Sequence, residues 1–317
     1  MLYSPQPMHI PDGFLSLPVA LALWVASMVF IGIAIRRLEA SLSEGEIPLM
    51  GILAAAIFAG QMLNFSVTGG TSGHLLGAAL ATILLGPYPA MLVMTAVVSV
   101  QALLFQDGGL VVMGANLFNM AIVGVWVAYA VYSLIRRLTG ETRAGLLAGG
   151  FAAAWSSIFA AALACALQLA LSGTSPANLA VPAMGGIHAL IGIGEGLITV
   201  GALAFIYAAR RDLLAREGRS QTVNRPVWLG GGLIALTLVV FSPLASSHPD
   251  GLEWVAEQLQ FIETARPPLF EIIPDYLVPG ISNEALATIL AGIIGLAAVS
   301  LAAMSAGLAR RRTSARD

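Results

Sequence analysis

The sequence contains no lysine, and all 15 of its basic residues are arginine. Charge of either sign is scarce, at 10% of 317 residues, against about 25% in a soluble domain. Cysteine occurs once, at Cys165 within AALACALQLA. That excludes a disulfide framework and a thiolate metal cluster, leaving a small packing residue. No GxxxxGK[ST] stretch is present, so the chain does not itself hydrolyse ATP through a loop of that kind. The HExxH helix of a zinc protease is also missing. A signal peptide carries its positive charge ahead of the apolar run. Here MLYSPQPMHIPDGF has no Lys or Arg, and Arg36-Arg37 follow the run. The first apolar segment is therefore read as a retained span.

What remains is apolar. Hydrophobic residues make up 58% of the chain, with a mean hydropathy of +0.86. Lipid is the solvent for most of such a chain, and the fold class expected is all-α, a polytopic transmembrane bundle. Nine candidate spans are read at 15–35, 47–65, 74–87, 89–106, 114–135, 144–171, 186–209, 228–244 and 285–309. Only Gly86-Pro87-Tyr88-Pro89 separates the third from the fourth, a turn signal that also stops helices.

Arginine placement orients this count. Arg36, Arg37, Arg136, Arg137, Arg143, the 210–225 cluster and Arg310–Arg316 all fall on one side under nine spans, leaving Arg266 opposite. The positive-inside rule makes the arginine side cytoplasmic. The expected organisation is an extracytoplasmic N-terminal segment 1–14, a seven-span domain 15–209 and a cytoplasmic linker 210–227. A two-span domain 228–317 containing PDGLE completes it.

Four histidines exist: His9, His74, His188 and His248. His9 in MHIPDGFLS and His74 in VTGGTSGHLLG lie on the same face under this orientation. Two imidazoles at one membrane mouth suit Ni²⁺ or Co²⁺ and not Mg²⁺ or Ca²⁺. Solvated or helix-capping histidines are the competing reading.

MHIPDGFLS, TGGTSGHLLGAAL, QALLFQDGG with GANLFNM, and HALIGIGEGLIT occur in this order. Together they resemble the membrane substrate-binding component of energy-coupling-factor nickel/cobalt transporters, the cobalamin-biosynthesis-type permeases. The resemblance covers roughly residues 8–210. The tail, with Pro249–Glu253 as PDGLE, resembles the small two-span partner subunit of these systems, here fused. The resemblance implies four nitrogen ligands: the α-amine of Met8, the backbone and imidazole nitrogens of His9, and His74. Amine and next amide close a five-membered chelate, and that amide with its own Nδ1 a six-membered one. Planar nitrogen ligation of this kind favours nickel over cobalt. One departure matters. Seven residues, MLYSPQP, precede Met8, and a Met8 nitrogen following Pro7 is an amide rather than an amine. The expectation is that Met8 is the true start, or that the leader is removed.

Other polar residues are candidates for support around the metal. His188 and Glu195 are seven apart, on one helix face, and a carboxylate at that depth must be hydrogen-bonded inside the bundle. Asn116 and Asn119 are i,i+3 neighbours able to supply partners. A purely structural network is an equal alternative for all four. Asp12 and Asp107 either draw cations or form turns, and His248 beside PDGLE is a weaker metal candidate.

The function expected is therefore capture of Ni²⁺ or Co²⁺ by the substrate subunit of an ATP-driven importer, with no prosthetic group and no bond-making chemistry. Its implied partners are a membrane-embedded coupling (T-type) subunit, cytoplasmic ATPase subunits and the lipid bilayer, with no nucleic acid. A membrane-embedded metalloenzyme using His9, His74 and Glu195, or a self-sufficient secondary carrier, are the alternatives.

Overall fold

The computed structural model describes residues 8–41, 46–214 and 225–314. The leader MLYSPQP, with Arg216, Arg219 and Arg316, lies outside them. Among the described residues, seven helices are long and apolar enough to cross a membrane. These are Leu17–Leu38, Pro87–Phe105, Met113–Thr139, Arg143–Leu171, Ala177–Ala209, Val227–Leu244 and Glu284–Leu308. The fold class is all-α, as the composition requires: in hydrocarbon every backbone N–H and C=O must be paired within the segment. We number the helices α1 (Leu17–Ser41), α2 (Ile47–Gln61), α3 (Ala78–Leu85), α4 (Pro87–Val100), α5 (Met113–Leu117) and α6 (Gly124–Thr139). There follow α7 (Arg143–Leu171), α8 (Ala177–Ala209), α9 (Arg225–Phe241), α10 (Gly251–Gln258) and α11 (Glu284–Ser314). Two π-helical stretches, Gln101–Phe105 and Phe118–Val123, extend α4 and join α5 to α6.

Lipid-facing and protein-facing helices differ in how their apolar residues are used. On α1, Leu17, Leu21, Val25 and Met28 are exposed, as a helix bordering the bilayer requires. The long pair α7 and α8 packs through small residues. A Cβ at Gly196 would lie 2.6 Å from the Phe151 ring, so only glycine lets the two backbones approach this closely. The final helix α11 packs on α2 and α9, where Phe58 fills the space left by Gly295.

Three sequence expectations need correction. The segment 74–87 is not a continuous span. It begins extended after a short hairpin, β1 (Phe65–Val67) and β2 (Thr71–Gly73), and only Ala78–Leu85 is helical. All eight residues of α3 are buried inside the protein. Its apolarity therefore reflects protein neighbours rather than lipid, and non-helical backbone at that depth is tolerated only under such cover. The segment 47–65 forms a 15-residue helix, short for a lipid-spanning element. The expected loop 172–185 is largely helical, because α8 starts at Ala177 and carries Pro182 in its second turn.

Candidate metal site

The hairpin β1–β2 pairs Phe65 with Gly73 and Val67 with Thr71, reversing through Gly69 and Gly70. His74 leaves its second strand directly. Two residues later the Glu195 carboxylate takes over: Leu76 N donates to Oε2 at 2.7 Å and Gly77 N to Oε1 at 3.0 Å. These are orphan donors at the start of α3, the groups a buried helix end must satisfy. Gly77 has φ +81° and its missing Cβ would meet Ile57 at 2.6 Å, so no other residue fits that N-cap. His74 is thus pinned between a hairpin and a capped half-helix.

On the other wall, the segment 8–12 is held by the loop between α4 and α5. Asn116 accepts Ile10 N at 3.0 Å and donates to Ile10 O at 3.1 Å. Asp12 accepts from Leu110 N and Val112 N, which is the turn-forming role and not a cation site. Asp107 behaves differently. Its Oδ1 receives Met8 N at 2.7 Å, His9 N at 3.2 Å and His9 Nδ1 at 2.9 Å. Three nitrogens of two adjacent residues converge on one oxygen.

The His9 and His74 rings lie 5.9 Å apart, edge to face. His74 Nδ1 is hydrogen-bonded to Leu75 O at 3.1 Å, a contact of the kind that orients imidazoles in metal sites. His9 Nε2 is buried with no hydrogen-bond partner among the described residues. Met8, His9, His74, Asn116, Asn119 and His188 all line one cavity of about 70 Å³, room for an ion and a few waters. Among the described residues no three His, Cys, Asp or Glu side chains form a metal cluster.

Electrostatics favour a cation here. Burial lowers the His74 imidazole, helped by the neighbouring His9, to about 4, so it is neutral and ready to ligate. Burial also pulls His9 down, but the Asp107 charge and hydrogen bond outweigh this, and its pKa is raised. Asp107 is correspondingly lowered, since His9, Tyr276 and the Met8 amide overcome the cost of burial.

Of the supporting candidates, Asn116 and Asn119 line the cavity, and Asn119 exchanges two hydrogen bonds with Gln168. His188 lines it too, its Nδ1 bonded to Met184 O at 2.8 Å. Glu195 does not line it: the carboxylate caps α3, and its influence on the cavity passes through the backbone of 76–77. His248 is exposed and faces away, accepting Ser72 Oγ through its carbonyl.

Sequence reasoning missed the fourth wall, which comes from the PDGLE motif. Pro249 O accepts Ser72 N at 2.8 Å, and Ser72 bridges to Asp250 in parallel. Asp250 then caps α10, accepting Glu253 N at 2.7 Å. A Cβ at Gly251 would stand 2.9 Å from His188 Cε1, so this glycine permits the close approach. Asp250, Gly251 and Leu252 complete the cavity beside His9 and His74. In sequence Asp250–Glu253 reads D-G-L-E, which is only an N-cap signal, and nothing in it names the surface it docks on.

Residues 9–213 match the family model described as the cobalt uptake substrate-specific transmembrane region. The chain belongs to this family. Residues 225–312 match the PDGLE domain. The family is one of metal transport proteins rather than enzymes. A fused nickel transport protein NikMN of Rhodobacter capsulatus is 31% identical over 342 aligned positions, covering 95% of this chain and 98% of that protein. The cobalt transport protein CbiM of Sorangium cellulosum is 33% identical, covering 66% of this chain and 95% of that protein. A crystal structure of a truncated transition metal transporter superposes with a TM-score of 0.56 at 33% identity, covering 63% of this chain and 99% of that one.

Proposed function

We propose that this chain is the substrate-capturing membrane subunit of an ATP-driven energy-coupling-factor importer for Ni²⁺ or Co²⁺. The observation that carries the reading is that Met8 N, His9 N and His9 Nδ1 sit together, all directed at Asp107 Oδ1, on residues that line one cavity with His74. His74 faces the same cavity. Four nitrogen donors in such an array suit Ni²⁺ foremost. Names of relatives support both ions, nickel for the fused protein and cobalt for the shorter one. The fusion to a PDGLE domain favours nickel as cargo.

Arg36, Arg37, Arg136, Arg137, Arg143, Arg210 and Arg211 stand at the helix ends remote from His9. That distribution supports an extracytoplasmic metal mouth and N-terminus, with the C-terminus cytoplasmic. Capture is this chain's task. Energy comes from a separate coupling subunit and cytoplasmic ATPases, since no phosphate-binding loop occurs in the sequence.

The test is transport into proteoliposomes. The purified chain alone should move no ⁶³Ni²⁺, and uptake should appear with its partner subunits and ATP. Uptake by the chain alone would make it a self-sufficient carrier. The ligand set also requires a free amine on Met8. N-terminal sequencing of protein from the native host should read Met8 first; an intact Met1 on metal-loaded protein would sink the four-nitrogen arrangement.

A further inference from the structure

The domain carrying PDGLE reaches the metal site at a second point. Tyr276 follows α10 in the chain, lies within the PDGLE match, and is fully buried. Its ring stacks on Phe105 at 4.6 Å and 11°. Its hydroxyl donates to Asp107 Oδ2 at 2.6 Å and accepts from Gln101 Nε2 at 3.2 Å. Asp275 and Tyr276 both have positive φ, +52° and +57°, a backbone region that side chains other than glycine adopt only when their surroundings demand it. The turn is bent to deliver this one hydroxyl. Asp107 is 1% exposed, and its two oxygens are divided: Oδ1 serves Met8 and His9, Oδ2 serves Tyr276.

We propose that Asp107 is a positioning residue for metal capture and that Tyr276 anchors it from the C-terminal domain. The inference rests on the metal-capture reading above. Before the cation arrives, Asp107 Oδ1 gathers three nitrogens around one point, so the chelate is assembled without the ion. When the cation enters, metal–nitrogen bonds form while the His9 amide, His9 Nδ1 and the Met8 ammonium each lose one proton to solvent, leaving an amidate, a neutral imidazole protonated on Nε2 and a neutral amine. Oδ1 then loses hydrogen-bond donors while still buried, which is unfavourable for an uncompensated carboxylate. The cation itself compensates. A dication with one deprotonated amide carries one positive charge, and Asp107 brings the buried assembly to neutrality. Tyr276 holds Oδ2 throughout, so the counter-charge stays in place and the C-terminal domain is tied to loading.

Three variants of the full chain in detergent test this by Ni²⁺ titration against a competing chelator, with the Ni²⁺ absorption spectrum as second readout. Asp107→Asn should weaken affinity by about 10- to 100-fold, the range for groups that orient metal ligands, and shift the spectrum. Tyr276→Phe, which removes only the hydroxyl, should weaken affinity by less than Asp107→Asn and leave the spectrum unchanged. The double variant should bind no more weakly than Asp107→Asn alone, because Tyr276 acts through Asp107. Additive losses, or an Asp107→Asn protein with wild-type affinity and spectrum, overturn the proposal. If His74→Ala matches wild type in affinity, the metal-capture reading itself falls.

Discussion

Glu195 and Leu76 are 119 residues apart in sequence and 2.7 Å apart in the structure, the carboxylate Oε2 accepting the Leu76 amide while Oε1 accepts Gly77 N. That relationship fixes the start of α3, and with it the direction in which the chain leaves His74. A carboxylate deep in a helical bundle acts here as a helix cap, and its effect on metal capture is indirect.

Removing this cap should be costly. Glu195→Ala leaves two buried N–H groups without acceptors, at about 1–3 kcal/mol each. Its melting temperature should drop, and Ni²⁺ affinity should fall with it because residues 74–77 lose their anchor. Glu195→Gln keeps one acceptor oxygen and should lie between the two. Thermal unfolding in detergent, followed by metal titration, reads both. A Glu195→Ala protein as stable as wild type would remove the cap from the account.

His74 and His188 should separate sharply. His74 pairs with His9, whereas His188 is tied to its own helix through Met184 O. His74→Ala should lose more Ni²⁺ affinity than the about 100-fold typical of outer groups, and His188→Ala should stay within about tenfold. Calorimetric titration distinguishes them; equal losses would move His188 into the ligand set.

Acid should release the metal in a predictable window. Ligand nitrogens must lose protons to bind. His74, lowered to about 4 by burial, stays neutral until well below the ordinary histidine value. His9 is raised above 6.5 by Asp107 after the opposing effect of burial. As pH is lowered, affinity should therefore begin to drop while the pH is still above 6.5, driven by His9, with His74 contributing only near pH 4. A titration flat from pH 8 to pH 5 would contradict this assignment.

The PDGLE aspartate makes a stability prediction of opposite sign to the usual carboxylate. Burial pushes Asp250 up from 3.8 to about 8. The folded chain then holds a proton that an undocked chain releases, so rising pH between about 4 and about 8 favours undocking. Asp250→Asn removes that dependence and keeps an N-cap of similar quality. Measured without metal, the variant should melt a few degrees higher than wild type at pH 7.5 and no higher at pH 4. A constant difference across that range would show that Asp250 does not titrate there.

Much of this protein was legible in its residues. Scarce charge and long apolar runs dictate helices in lipid, because only internally paired backbone survives there. The motifs around His9 and His74 carry the family resemblance, and the ligand set proposed for them rests on that resemblance. Arg36, Arg143 and Arg210 mark helix ends for the same electrostatic reason that they avoid hydrocarbon. Hydropathy, however, measures only that a residue prefers to leave water. It does not distinguish lipid from protein interior, so α3 reads as a span although every residue of it is buried in the bundle. Contacts between distant segments were likewise decided by the tertiary structure alone. Asp107 reads as either a cation-drawing or a turn-forming residue, Tyr276 belongs to no motif, and Pro249–Glu253 read only as the PDGLE signature. Their meeting around Met8, His9 and His74 depends on side-chain packing across more than a hundred residues, which no local pattern encodes.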